Sequence, residues 1–181
     1  LATEKLNCPP GVLFEILFGS NNKLTLDLLK SQDGSDFSEF SEFAPNDKGN
    51  KERSYKYEKG LNYGVGPKST TCYAKETIES FDIEGHINVV NTTQTPNVPS
   101  GGAFTVKTRY ILTWAEQNTS QMIVSFWVDW TGSSWMKGVI ERSCKSGQEE
   151  ATKVLVKLLR ESVDNNVVEL STEVKVTEYE A

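Results

Sequence analysis

The chain has 181 residues, of which 37% are hydrophobic and 24% charged, and its formal net charge is −6. This composition predicts one globular domain and excludes a membrane span, since no apolar run approaches the roughly 20 residues that a bilayer requires. The modest basic content, without a recognised motif, argues against nucleic-acid binding. The opening stretch, LATEKLNCPP, lacks the basic and apolar regions of a signal peptide.

The charge is distributed unevenly along the chain. Residues 164–181 carry five acids and one lysine, and we predict that they form an acidic tail or linker after a domain over 1–163. A local excess of cations occurs between residues 53 and 75, and it predicts membrane contact through Lys56, Lys59 and Lys68. The alternative interpretation is a solvated strand face.

Two short helices are predicted near the N-terminus. Pro9 and Pro10 stand where a helix can begin, and apolar residues then recur at helical spacing as far as Leu17. The breaker GSNNK separates this helix from a second helical pattern, LTLDLLKSQ. Residues 37–51 have the composition of an irregular connection.

The middle of the chain changes to a period of two, which predicts five consecutive strands and therefore an antiparallel meander. The predicted strands are 53–61, 68–80, 85–95, 104–116 and 120–130. In the last two strands one face is apolar, so another layer must cover it.

A long helix from Trp135 to about Val163 is predicted to supply that cover. Its apolar stripe is Ile140, Cys144, Gly147, Ala151, Val154 and Leu158. The centre of this stripe is unusually small, even though a glycine inside a helix costs about 1 kcal/mol relative to alanine. Small residues here indicate either close packing of the helix on the sheet or an internal cavity.

The predicted fold is therefore α+β, with a curved antiparallel sheet wrapped around a long C-terminal helix in a helix-grip arrangement. The apolar faces of the strands and helix give the following candidate residues for an internal apolar cavity: Phe104, Tyr110, Leu112, Met122, Val124, Phe126, Val128, Cys144, Gly147 and Ala151. For the aromatic residues, ordinary core packing is the alternative. Trp130 is expected to face the cavity, Trp135 to begin the helix against the sheet, and Trp127 to lie on the opposite face.

Chemistry beyond binding finds little support in the sequence. The single histidine, His86, lies in a strand pattern without a Ser or Cys motif, and no carboxylate pair is selected for acid–base work. An enzyme built on this fold would need polar residues inside the cavity, for instance Tyr73 with His86.

Three widely spaced cysteines, Cys8, Cys72 and Cys144, form neither a metal motif nor a complete disulfide set, which favours a reducing compartment. A secreted binding module is the remaining alternative, because Asn91 and Asn118 begin glycosylation sequons.

Four separated blocks resemble the VASt, or StART-like, domain of the Lam/GRAMD (Aster) proteins, most closely those of yeast. The blocks are GVLFEILFGSNNK, ERSYKYEKGLNYGVGPKSTTCYAKETIES, TPNVPSGGAFTVKTRYILTW and WMKGVIE. They occur in the same order as in that family, over about residues 5–163.

The resemblance implies binding of a sterol, such as ergosterol or cholesterol, and its non-vesicular transfer without a cofactor or an enzymatic step. It implies a cytosolic domain, monomeric in isolation, of a protein anchored in the endoplasmic reticulum that acts at contacts with the plasma membrane. It also implies a flexible lid over the cavity mouth, formed by Gly19, Ser20, Asn21, Asn22, Lys23 and Leu24. Lys23 of this lid is a further candidate for contact with anionic headgroups.

Overall fold

The computed structural model describes residues 1–62 and 66–180, with side chains through residue 165. The strands are β1 (Ala2–Leu6), β2 (Gly34–Ser35), β3 (Ala44–Pro45), β4 (Lys51–Gly60), β5 (Ser69–Phe81), β6 (His86–Gln94), β7 (Phe104–Trp114) and β8 (Ser120–Trp130). The helices are α1 (Pro10–Phe18), α2 (Lys23–Ser31) and α3 (Lys137–Glu180), with one 3-10 turn at Gly101–Ala103.

The sheet is antiparallel, with strand order β1-β8-β7-β6-β5-β4-β2, and β3 pairs with β4. The five predicted strands are confirmed, with small differences at their ends. The sequence analysis missed β1, which lies beside β8 and pairs Ala2 with Val124. Its stretch ATEKL has a single fully buried residue, Leu6, so it carries almost no apolar signal.

Side chains alternate between two faces of the sheet, as the period of two predicted. On β8 the inward positions Met122 and Val124 are almost completely buried, whereas Ile123 and Trp127 on the outer face are each 36% exposed. Neighbouring strands pair inward residues with inward residues, for example Leu112 with Met122 and Tyr110 with Val124. The inner face is therefore one continuous surface: helices pack on its part formed by β6, β7 and β8, and Phe37 and Phe40 stack on Tyr57 and Tyr55 of β4.

The end of the sheet where β5 and β7 terminate is closed by α1 and by the second half of α3. Leu13, Leu112, Met122 and Leu159 are each 0% exposed in this shared core. We call this the closed end. The opposite end, where β4, β6 and β8 terminate, is called the open end.

Two predictions about the long helix are corrected. It continues from Lys137 to Glu180 instead of ending near Val163, because no proline or glycine interrupts residues 148–180. The boundary between residues 163 and 164 therefore has no break in secondary structure, and a separate role for 164–181 stays a prediction. Trp135 does not pack against the sheet end: it precedes α3 and is 92% exposed.

Candidate functional site

At the open end, the inner face of the sheet opposite the first half of α3 is covered less tightly than at the closed end, and we call this region the chamber. Apolar side chains that would be fully buried in a closed core are only half-buried here, and those from the sheet are Val106, Phe126, Val128 and Trp130. Cys144 on the facing helix is half-buried as well. These apolar side chains keep part of their surface accessible, so an apolar ligand that covered them would remove that surface from water.

Gly147 distinguishes between the two explanations for the small residues of α3. A β-carbon added at this position would meet no atom within 4 Å. Close packing of the helix on the sheet therefore does not explain the glycine, and Gly147 borders open space.

The apolar stripe of α3 is rotated from its predicted position. The residues of this helix that reach the inner face are Glu141, Gln148 and Thr152, followed by Leu155 and Leu159 in the closed core. The small-residue positions Gly147 and Ala151 flank this face and are half-buried. The helical period of apolar residues predicted an apolar inward stripe. It could not indicate the polar inward residues, because it considers only hydrophobicity.

A row of polar residues crosses the inner face between the closed core and the chamber. The register pairs Arg53 with Glu76, Glu76 with Asn91, and Asn91 with Thr108 across four adjacent strands. Thr108 Oγ1 donates a hydrogen bond to Gln148 Oε1 of α3 at 3.2 Å. We call these five residues the polar belt, and they form the floor of the chamber.

The strongest interaction in the polar belt is a buried ion pair. Arg53 and Glu76 are 4% and 2% exposed, and Arg53 Nε donates to Glu76 Oε2 at 3.2 Å. The guanidinium also lies over the rings of Phe40 and Phe43. Burial raises the pKa of Glu76, while the positive charge of Arg53 opposes that rise. In the sequence, Arg53 is the first of the cations between residues 53 and 75, which suggested a surface position. Its alternation with Tyr55 and Tyr57 indicates the inward position that the structure shows.

Hydroxyl and amide groups extend the polar belt towards the open end. Asn91 Nδ2 donates to Tyr55 Oη at 3.4 Å, and Thr93 Oγ1 donates to Asn91 Oδ1 at 3.0 Å. Burial and the negative charge of Glu76 raise the pKa of Tyr110, so this phenol stays protonated at neutral pH. The floor thus offers neutral donors and acceptors beside apolar walls, which suits an apolar ligand with a hydroxyl group.

The predicted cavity residues fall into two groups. Phe126, Val128 and Cys144 are half-buried at the chamber, Gly147 and Ala151 are half-buried on the flank of α3, and Phe104 packs at the rim with its ring centroid 5.2 Å from that of Trp130. Leu112, Met122 and Val124 are at most 1% exposed and lie in the closed core without free space beside them. Tyr110 lies between the two groups and contacts Phe18.

The loop that was predicted to form a lid is shorter than expected. The loop comprises Gly19, Ser20, Asn21 and Asn22, whereas Lys23 and Leu24 form the first turn of α2. Arg53 Nη1 donates to Gly19 O at 2.9 Å and to Asn22 Oδ1 at 3.2 Å, which ties the loop to the polar belt. Gly19 has an ordinary φ of −69°, and its lack of a side chain permits close approach to the carbonyl of Glu15.

The four lysines predicted to touch a membrane do not form one surface. Lys23 pairs with Asp27 at 2.7 Å, and Lys56 points to the outer face of the sheet. Lys59 is half-buried on the inner face at the open end, where Lys68 is exposed. Only the last two share an end of the molecule with the chamber.

A separate groove of about 1010 Å³ lies on the outer face, beneath the segment 38–50. Its lining is mainly charged and hydroxyl-bearing, with Lys56, Lys75 and Lys107 beside Glu52 and Glu79. This groove is distinct from the predicted apolar cavity.

Two polar residues considered for an enzyme, Tyr73 and His86, lie outside the chamber. Tyr73 is 46% exposed on the outer face, and His86 is exposed at the start of β6, so the two do not meet in the chamber. Among the described residues no group of three or more His, Cys, Asp or Glu side chains is placed to hold a metal ion.

Solved structures with the same architecture share little sequence with this chain. The lipid transfer and protein localization domain of human StarD13 superposes with a TM-score of 0.51 at 16% identity, covering 89% of this chain and 74% of that one. TTHA0849 of Thermus thermophilus superposes with a TM-score of 0.50 at 13% identity, covering 91% of this chain and 96% of that one. At such identities these likenesses establish the fold, a StART-like helix grip.

Relatives with higher sequence identity give more specific information about the family of this chain. The membrane-anchored lipid-binding protein LAM5 of Saccharomyces cerevisiae is 44% identical over 177 residues, which are 96% of this chain and 26% of that protein. An uncharacterized membrane protein of Schizosaccharomyces pombe is 33% identical over 156 residues, 86% of this chain and 20% of that protein. The chain thus spans about a quarter or less of these relatives, and within its described residues no helix is both long and apolar enough to cross a bilayer.

The family model for the VASt domain, the VAD1 Analog of StAR-related lipid transfer domain, matches residues 1–147. This match covers every strand, the polar belt apart from Gln148, and the first part of α3 as far as Gly147. The chain belongs to the VASt family.

Proposed function

We propose that this chain binds a sterol in the chamber and transfers it between membranes without a cofactor or covalent chemistry. The observation that carries the proposal is the chamber itself: apolar walls at the open end stand above the polar belt. A sterol has the matching form, since it is a rigid apolar body with one hydroxyl group.

The position of the sterol follows from this match. Its ring system would lie among Phe126, Val128 and Trp130, and its hydroxyl would meet neutral polar groups such as Asn91 and Thr108. The name of the 44% identical yeast relative, a membrane-anchored lipid-binding protein, supports a lipid ligand.

The energetics favour exchange over permanent capture. Enclosing a sterol removes several hundred Å² of apolar surface from water, which is worth on the order of 10 kcal/mol before ordering costs. A bilayer offers the sterol a similar gain in free energy. The sterol's affinities for the chain and for the bilayer are then nearly balanced, so the chain can both take up and release it. The loop Gly19–Asn22, fixed through Arg53 to the chamber floor, would act as the gate.

The membrane-anchored yeast relative supports a membrane-anchored parent protein, and its place in the cell is part of our proposal. A membrane-anchored parent would hold this domain in the cytosol at the endoplasmic reticulum, and contacts with the plasma membrane would provide the acceptor bilayer. Three unpaired cysteines agree with a reducing compartment. Of the two sequons, Asn91 is a polar-belt residue whose side chain faces inward and leaves no room for a glycan, whereas Asn118 is exposed in the turn between β7 and β8.

Transfer of a fluorescent sterol between liposomes tests the proposal. We compare the wild-type chain with Gly147→Leu, which places a bulky side chain at the edge of the chamber. We expect wild-type transfer and a loss of about tenfold or more in Gly147→Leu, since a leucine there competes with the ligand for space.

Two matched variants separate blockage from effects on the helix. Gly147→Ala raises the helix propensity about as much as Gly147→Leu does but adds only one methyl group. It is expected to keep most of the wild-type sterol transfer. Ser146→Leu adds the same side chain at an exposed neighbouring position and is expected to behave like wild type. The proposal fails if the folded wild-type chain transfers no sterol on neutral and anionic liposomes alike.

A further inference from the structure

An exposed tryptophan stands next to the open end of the chamber. Trp135 follows β8 by five residues and is 92% exposed, whereas Trp114 and Trp127 are 39% and 36% exposed. The next turn adds Val139, which is 55% exposed. Val139 lies in the first turn of α3, four residues after Trp135, so two exposed apolar side chains lie close together in the chain at the helix start.

The other three tryptophans all have partners. Trp114 Nε1 donates to Ile83 O at 2.7 Å, Trp130 Nε1 donates to Glu141 Oε1 at 2.9 Å, and Arg109 lies over Trp127 at 5.2 Å. Across the described part of the chain, the indole of Trp135 contacts no such partner. Its large apolar area and its N–H donor are therefore both available to a surface outside the protein.

The segment that carries Trp135 is held in place. Thr131 N donates to Ala103 O at 2.8 Å, and the hydroxyls of Ser100 and Ser134 lie 2.7 Å apart. Ser134 Oγ also accepts from the backbone N–H of Met136 at 3.1 Å. The tryptophan is thus presented on a hydrogen-bonded turn, which reduces the ordering cost of insertion.

The charges around this tryptophan select the partner. The described segments of the open end, 59–62, 66–68, 95–103 and 131–142, contain four cations and one acid, namely Lys59, Lys68, Lys137, Arg142 and Glu141. The turns at the closed end, 82–85 and 115–119, contain three acids and no cation. Because cations outnumber acids there, the open end presents a net positive surface around an exposed indole. Its one acid, Glu141, accepts a hydrogen bond from Trp130.

We infer that Trp135 is an interfacial anchor that inserts into the headgroup region of an anionic bilayer and places the open end of the chamber against the membrane. Tryptophan favours this interfacial depth because its ring is apolar and its N–H can bond to headgroups or water. The surrounding cations add attraction to anionic lipids. The transfer role of the anchor rests on the proposed function, whereas membrane binding itself does not.

Flotation of the sterol-free chain with vesicles tests the anchor. The vesicles are phosphatidylcholine alone or phosphatidylcholine with phosphatidylserine at 7:3. Trp135→Ala is expected to lower the partition coefficient on the mixed vesicles about tenfold, and Lys68→Gln is expected to lower it about fivefold. Trp127→Ala, on the outer face, is the matched control and is expected to bind as wild type.

A spectroscopic measurement distinguishes insertion from attraction at a distance. Brominated lipids should quench part of the wild-type tryptophan fluorescence, and that part should disappear in Trp135→Phe. Unchanged quenching in the variant, or equal flotation of Trp135→Ala and wild type, would overturn the inference. A wild-type dimer in sedimentation that Trp135→Ala converts to a monomer would overturn it too, since the patch would then contact a second copy.

Sterol binding in solution separates this inference from the proposed function. Trp135→Ala is expected to bind a fluorescent sterol as wild type does while transferring it more slowly between anionic vesicles. If the wild-type chain floats and its Trp135 is quenched but no sterol binds, the proposed function fails and the anchor stands.

Discussion

The two ends of the sheet are built from the same strands, yet they differ in packing and charge. At the closed end, inward residues such as Leu112 and Met122 have no exposed surface, and the adjoining turns are acidic. At the open end, Val128 and Trp130 occupy equivalent inward positions but stay half-buried, and the adjoining segments are basic. The difference indicates that the closed end stabilises the fold, whereas the open end is the part for which we propose ligand binding.

The polar belt marks the boundary between the two ends, and breaking it should have the largest effect. Arg53→Ala leaves Glu76 buried without its partner and is expected to cost about 3–5 kcal/mol of unfolding free energy. Urea denaturation measures this loss. The double variant Arg53→Met, Glu76→Leu should recover much of it, because no buried charge remains. A double variant as unstable as the single one would contradict this account.

Truncations at matching positions test the difference in packing directly. Leu112→Ala at the closed end is expected to cost about 2–5 kcal/mol, since it leaves a cavity in a closed core. The valine pair Val124→Ala and Val128→Ala compares identical changes on one strand face. Chemical denaturation should show a loss above about 1 kcal/mol for Val124 and a smaller one for Val128. Equal losses would mean that the open end is packed as tightly as the closed end.

Alkaline pH should weaken the fold through the tyrosines of the inner face. Burial raises the pKa of Tyr55, Tyr57 and Tyr110 above the usual value of about 10. The unfolded chain therefore loses these protons first, so stability is intact below about pH 10 and falls above it, by up to about 1.4 kcal/mol per pH unit for each group. Tyr57→Phe should reduce the slope of unfolding free energy against pH, whereas Tyr73→Phe on the outer face should not.

The smallest expected effect concerns the hydrogen bond between sheet and helix at the chamber floor. Thr108→Val removes the donor to Gln148 and is expected to cost about 0.5–1.5 kcal/mol. Hydrogen exchange of the first half of α3 should speed up in this variant. Thr105→Val, on the outer face of the same strand, is the control and should leave that exchange unchanged.

Local patterns determined most of the architecture. The period of two predicted the five long strands and their inward face, because alternation is a property of the strand itself. The two N-terminal helices and the start of the long helix followed from proline, glycine and serine positions in the same local way. The order of these elements predicted the helix-grip arrangement, and the family resemblance added the expectation of a sterol ligand and of a lid.

The tertiary structure alone decided which residues of that inward face are core and which border free space. Leu112 and Val128 look alike in sequence, and only the packing of α1 and the second half of α3 makes the first buried while the second stays half-buried. The pairing of Arg53 with Glu76 likewise depends on strand register, which joins residues 23 positions apart. The exposure of Trp135 also depends on the fold, because burial is decided by what packs against a side chain and not by the side chain itself.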